Sequence, residues 1–150
     1  MIVHAGCVAR PTAAGWRGVV LTGPSGVGKS DLMLRLLERG WTLVGDDRLH
    51  LWTSAGLLFA RAAEPLAGLL EVRGLDVIGC PRRPLARVVL AGECVAPDAE
   101  LERIPERSWT ELAGVRVERA WLRPLESSAP AKLERAFART VAGTGARVAF

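Results

Sequence analysis

The stretch Gly23-Pro24-Ser25-Gly26-Val27-Gly28-Lys29-Ser30 decides the fold, because G-x-x-x-x-G-K-S makes a phosphate-binding loop when a strand enters it and a helix leaves it. Both neighbours are present. Val19-Val20-Leu21-Thr22 is a short apolar run of buried-strand type, and Asp31 to Arg39 carries leucines at helical spacing before Gly40, a natural helix stop. Glycines let the backbone wrap closely round phosphate oxygens, so that amide N–H groups and the helix N-terminus face negative charge. In that frame Lys29 reaches the β- and γ-phosphates of a nucleotide and Ser30 is a ligand of Mg²⁺.

Outward from the loop, 150 residues are expected to form one domain, 1–150, large enough for a core without disulfides or a structural metal. Cys7, Cys80 and Cys94 lie far apart with no C-x-x-C, and read as reduced core or strand residues. No apolar run approaches the roughly 20 residues of a membrane span. Met1 to Cys7 lacks the layout of a secretory signal, so the expected location is the cytoplasm, with no membrane partner. The net charge of +4 comes from arginines scattered singly, which gives no indication of a nucleic-acid surface. Lys29 and Lys132 are the only lysines, and the first stands where the loop demands one.

Ile2 to Ala9 reads as a first strand, turned at Pro11–Gly15 into the strand before the loop; such a hairpin brings His4 near one end of that strand. A lone histidine there reads as a core or edge residue. After the helix, Thr42 to Asp47 is a short strand ending in two carboxylates, sixteen residues past Ser30. If the strand runs through Asp46 and Asp47 their side chains point to opposite sides, one for metal and one for an acceptor hydroxyl. The alternative is a plain turn pair. Arg48–Thr53 and Leu57–Ala60 form a hairpin with His50 on its polar face, and Glu64–Leu70 a helical turn. Glu71 to Ile78 reads as one strand with Glu71 and Arg73 on the same side, either a metal ligand beside a phosphate clamp or a surface ion pair. Pro81–Pro84 breaks the chain, Arg87–Ala91 is a strand, and Glu93–Glu106 a polar loop. A hairpin from Trp109 to Leu122 and a helix from about Ala131 to Val141, with Leu133, Ala136, Phe137 and Val141 on one face, complete it. So many antiparallel elements do not fit a doubly wound sheet.

Four blocks in order resemble the catalytic domain of bacterial HPr kinase/phosphorylase: His4 in Val-His-Ala, the loop Gly23–Ser30, the Asp46-Asp47 pair, and Leu70-Glu71-Val72-Arg73-Gly74-Leu75. They cover residues 1 to about 79, and Ser127 to Leu133 is similar to the close of short proteobacterial members. The resemblance implies an α/β (α+β) P-loop domain of the phosphoenolpyruvate carboxykinase type, with a mixed, largely antiparallel sheet, a P-loop helix and a C-terminal helix. It implies an ATP- and Mg²⁺-dependent serine kinase acting on the phosphocarrier HPr in the phosphotransferase system, a homo-oligomer, and a phosphate-dependent reverse reaction. Asp47 is then the proton acceptor and, in reverse, the donor; Lys29, His4 and Asp46 complete the catalytic group. Ser30, Glu71 and Asp46 hold the metal, and Arg73 meets the transferring phosphate. The N-terminal regulatory domain of longer relatives is not expected. The segment after Gly79 is short where relatives carry a further arginine, and no motif selects among Arg82, Arg83 and Arg87. A nucleotide-sensing module without catalysis and a small-molecule kinase are the competing readings.

Overall fold

In a computed structural model that describes residues 1–63 and 68–143, the strand feeding the loop is the buried centre of a nine-stranded sheet. Strand β2 (Gly6–Thr12) and β3 (Gly15–Thr22) form a hairpin in which Gly6 faces Leu21. On β3, Val19 and Leu21 point to one side of the sheet and Val20 to the other, and all three are fully buried. A strand buried on both faces reads as an unbroken apolar run, which is why the segment before Gly23 was legible.

On its other side β3 pairs in parallel with β9 (Ala86–Cys94), and β9 pairs in parallel with β11 (Val115–Leu122). These three strands finish together at the end where the phosphate loop begins. The remaining pairings in this sheet are antiparallel: β1 (Ile2–His4) with β5 (Arg48–Ser54), β5 with β6 (Leu57–Ala62), β6 with the start of β9, β2 with β4 (Thr42–Gly45), and β10 (Ser108–Leu112) with β11. The result is the mixed, largely antiparallel sheet that the resemblance implied.

Helices α1 (Lys29–Glu38) and α2 (Ala129–Gly143) cover one face. Leu32, Met33 and Leu36 of α1 and Leu133 and Phe137 of α2 pack there on Val8, Val19, Leu21, Leu90 and Leu122. Burying each of these large side chains contributes about 1.5–3 kcal/mol. The opposite face packs without helices: Cys7, Ala9, Val20, Val44, Leu49, Leu51, Leu58, Ala60 and Val88 fill a curl of the sheet. A separate hairpin, β7 (Leu69–Val72) and β8 (Asp76–Gly79), inserts the fully buried Leu70 into the helical face beside α1.

Three expectations need correction. Ile2–Ala9 is two strands, because the chain bends at Ala5, whose N–H donates to the Asp47 carbonyl (3.1 Å). The strand after α1 ends at Gly45, so Asp46 and Asp47 lie beyond it. Glu71–Ile78 is a hairpin instead of one strand: Gly74, at φ 84°, lets the chain reverse, and Leu75 N–H donates to the Val72 carbonyl (3.0 Å). The expected helical turn falls on residues 64–67, outside the described residues, and then on Gly68 and the start of β7.

Candidate active site

The loop Gly23–Ser30 joins β3 to α1, and its first glycine is dictated by both conformation and space. Gly23 has φ 131°, and a Cβ placed on it would lie 2.3 Å from the carbonyl oxygen of Cys94 on β9. The loop ends at Gly28 (φ 115°), the N-cap of α1, where no side chain caps the helix, so amides of its first turn are left to face a ligand. Lys29 folds back over the loop, its Nζ donating to the carbonyls of Gly23 (2.5 Å) and Pro24 (2.8 Å). Val27 is buried and anchors the loop in the core.

Ser30, one residue on, donates its hydroxyl to Asp46 (3.1 Å to Oδ2, 3.3 Å to Oδ1). Asp46 is buried just past β4, and burial pushes its carboxyl above the ordinary aspartate range. The Ser30 hydroxyl and the Asp47 N–H, which also donates to it (2.8 Å), work against that rise; the charges of Asp47 and Glu71 add to it. A buried carboxylate near two further carboxylates is an environment short of positive charge.

Asp47 occupies a tight turn. Its φ is 66°, and Arg48 N–H donates to the Asp46 carbonyl across it (2.7 Å), the i to i+2 pattern of a γ-turn. The turn throws the Asp47 carboxylate out to the rim, 66% exposed and 3.5 Å from His4 Nδ1. His4 is there because β1 pairs with β5 in a register that sets His4 opposite Arg48. Glu71, near the end of β7, and Arg73, in the turn that follows, approach from the hairpin packed against α1.

A cleft of about 440 Å³ collects them: His4, Ser25, Gly26, Gly28, Lys29, Ser30, Asp46, Asp47, Glu71 and Arg73 all line it. Gly23, Pro24 and Val27 do not line it: Val27 is buried beneath the loop, and Pro24 is exposed. Leu125 was missed by the sequence reading. It stands against Gly28 from the segment between β11 and α2, which Arg35 of α1 holds by donating to the carbonyls of Pro124 and Glu126. No motif marks it; its place depends on that tertiary clamp. Arg82, Arg83 and Arg87 do not line the cleft. Arg83 lies over the Trp16 ring (4.2 Å), and Arg87 sits at the start of β9, away from the loop. Lys132 pairs with Glu126 (2.8 Å) and steadies the segment carrying Leu125.

No three His, Cys, Asp or Glu side chains gather as a metal cage among the described residues. The hydroxyl of Ser30 and carboxylates of Asp46 and Glu71 are hard oxygen donors of the kind Mg²⁺ takes, and Mg²⁺ in nucleotide sites uses one or two carboxylates with phosphate oxygens. The excess of carboxylate around Asp46 fits such a cation.

A phosphate loop on a mixed, largely antiparallel sheet, faced by an acidic turn beyond a neighbouring strand, defines a P-loop domain outside the doubly wound class. Within that class the relationship is specific: the family model described as the HPr Serine kinase C-terminal domain matches residues 14–92, and the chain belongs to this family. Similar curated proteins are HPr kinase/phosphorylases of Clostridium tetani (42% identical over 64 residues, 43% of this chain and 21% of that protein) and Lacticaseibacillus casei (47% over 62 residues, 41% and 19%). The chain therefore matches about a fifth of the length of these relatives. The fold is that of the solved Hpr(Ser) kinase/phosphatase from Coxiella burnetii, with TM-score 0.80 over 97% of this chain and 99% of that one, at 22% identity.

Proposed function

We propose that this domain is an ATP- and Mg²⁺-dependent kinase that phosphorylates a serine of the phosphocarrier HPr, in the cytoplasm, as part of phosphotransferase regulation. The observation that carries this reading is Asp47, an accessible carboxylate on a turn beside the Ser30–Asp46 pair, lining the same cleft as the phosphate loop. A module that only sensed nucleotide would have no use for a second, outward-facing carboxylate.

ATP supplies the phosphoryl group and Mg²⁺ neutralises charge on the phosphate oxygens. The loop amides and the Lys29 ammonium hold the phosphates, and Ser30 and Asp46, with Glu71 beside them, hold the metal. Asp47 accepts the proton of the attacking seryl hydroxyl, which is a weak nucleophile without a base. His4 keeps the Asp47 carboxylate oriented. Arg73, with no carboxylate partner among the described residues, neutralises charge on the group in transfer. In the phosphate-dependent reverse reaction Asp47 returns the proton to the serine oxygen. A homo-oligomer, with neither nucleic acid nor membrane as partner, belongs to the same reading.

Incubation with labelled ATP, Mg²⁺ and HPr-type proteins tests it. Phosphoserine on HPr is expected; saturable ATP binding with no transfer to any such protein would leave the sensing module as the better account.

A further inference from the structure

Beneath the phosphate loop the middle one of the three parallel strands carries, one residue before its end, a carboxylate for which the chemistry above has no use. Glu93 sits opposite Thr22 in the β3–β9 register and opposite Trp121 in the β9–β11 register. The Thr22 hydroxyl donates to Glu93 Oε2 at 2.7 Å. Glu93 is half-buried, and among the described residues no Lys, Arg or His pairs with it. A lone negative charge under a site built for phosphate opposes binding unless it does something there.

Its surroundings say what. Thr22 is the last residue before the loop. The next residue, Gly23, lies against the carbonyl of Cys94, the neighbour of Glu93, so closely that no side chain fits. The Gly23 carbonyl in turn accepts from Lys29 Nζ. Two consecutive residues of β9 thus meet two consecutive residues at the mouth of the loop, one by a hydrogen bond to a carboxylate and one by close backbone contact, and the carbonyl of the second accepts from the lysine.

We propose that Glu93 is a positioning residue: through the Thr22 hydroxyl it fixes the first peptide of the phosphate loop, and through the Gly23 carbonyl the placement of Lys29. The proposal rests on reading Gly23–Ser30 as the nucleotide's phosphate cradle, and does not depend on which hydroxyl receives the phosphoryl group. A charged acceptor suits the task because its hydrogen bond is shorter and stronger than a neutral one.

The test compares Glu93→Ala, Glu93→Gln, Thr22→Val, Thr22→Ser and the Glu93→Ala/Thr22→Val pair in two measurements. The first is amide hydrogen exchange of residues 23–29 in the protein without nucleotide. Faster exchange there is expected in Glu93→Ala and Thr22→Val, with protection in β5 and α2 unchanged. The second is ATP affinity by calorimetry. Each of those two variants is expected to weaken it about tenfold, the size of one lost hydrogen bond to a charged group, and the pair no further than either alone. Glu93→Gln and Thr22→Ser keep an acceptor and a donor, and should stay within about threefold of the parent. Additive losses in the pair, a Glu93→Gln variant as weak as Glu93→Ala, or loop exchange that rises only in step with the whole sheet would each overturn the proposal. Failure of HPr to accept phosphate would leave these results intact and count against the kinase reading alone.

Discussion

At the scale of single residues, the aspartate pair shows how a turn separates two jobs that a strand would have divided differently. Asp46 folds inward, accepting from Ser30 and from the next residue's own N–H, while Asp47 at φ 66° turns outward to His4. Positive φ is strained for most L-residues and tolerated best by Asn and Asp, which places strain at the residue proposed as base. Asp47→Asn keeps that tolerance and removes only the proton acceptor. Phosphoryl transfer to HPr is expected to fall by at least about 100-fold, with ATP affinity and melting temperature unchanged. A variant that transferred at the parent rate would remove Asp47 from the mechanism. Both aspartates were legible in the sequence as candidates, because two carboxylates after an apolar run are conspicuous. Their directions were not, since the turn depends on a hydrogen bond to Ala5, far away in sequence. His4 was legible only through the family resemblance, because its approach to Asp47 comes from a non-local pairing of strands.

At the scale of elements, periodicity located nearly every strand and both helices, but it does not say which face of a strand another element covers. Glu118 on β11 is the clearest instance. The alternation that marks the hairpin gives it no role, yet α2 lies over that face and leaves the Glu118 side chain only 3% exposed. Arg107 grips it with two bonds (2.6 and 2.7 Å), Thr140 donates to it at 2.6 Å, and Arg139 lies 3.3 Å away, so one carboxylate joins the β10–β11 hairpin to α2. Burial alone would push its carboxyl up, but the bonds from Arg107 and Thr140 and the charges of Arg107 and Arg139 outweigh that and hold it below the usual range. A carboxyl lowered in the folded state stabilises the protein above its unfolded value, and that stability is lost as pH falls through the folded value. Glu118→Gln leaves the guanidiniums without their counter-charge. Because these guanidiniums are half-exposed and water takes up part of their charge, urea unfolding at pH 7 should show a loss of about 1–2 kcal/mol. The gap between parent and variant should narrow as the pH drops into the acid range; a gap independent of pH would assign the loss to shape instead of charge. The β7–β8 hairpin was misread for a related reason. Its apolar residues suit one strand as well as two, and the turn rests on the single positive-φ position of Gly74.

Across the described residues, much of the charge is absorbed locally. Each of the five tryptophans has an arginine over its ring, Arg83 on Trp16, Arg10 on Trp41, Arg61 on Trp52, Arg116 on Trp109 and Arg119 on Trp121, which gives these five of the scattered arginines a local partner. The cleft keeps Asp46 buried with Asp47 and Glu71 nearby, an arrangement that under the proposed function would serve a cation at the expense of the fold. Because burial raises the Asp46 carboxyl above its unfolded value, the folded chain binds a proton more readily than the unfolded one. The associated stability is present below the ordinary aspartate range and is lost as pH rises through the folded value. At neutral pH the ionised form is therefore a liability that an amide would remove. Without ligands, Asp46→Asn is expected to melt a few degrees above the parent at pH 7, at roughly 2–4 °C per kcal/mol, and the difference should vanish near pH ~3. With Mg²⁺ and ATP at a hundred times the parent Kd, the parent should gain about 2.7 kcal/mol and the variant little, so that the order of the melting temperatures inverts. Differential scanning calorimetry under the two conditions decides it. A variant less stable than the parent without ligands would show that the bonds from Ser30 and Asp47 N–H already outweigh the burial of the charge, and the tension between site and fold would not exist.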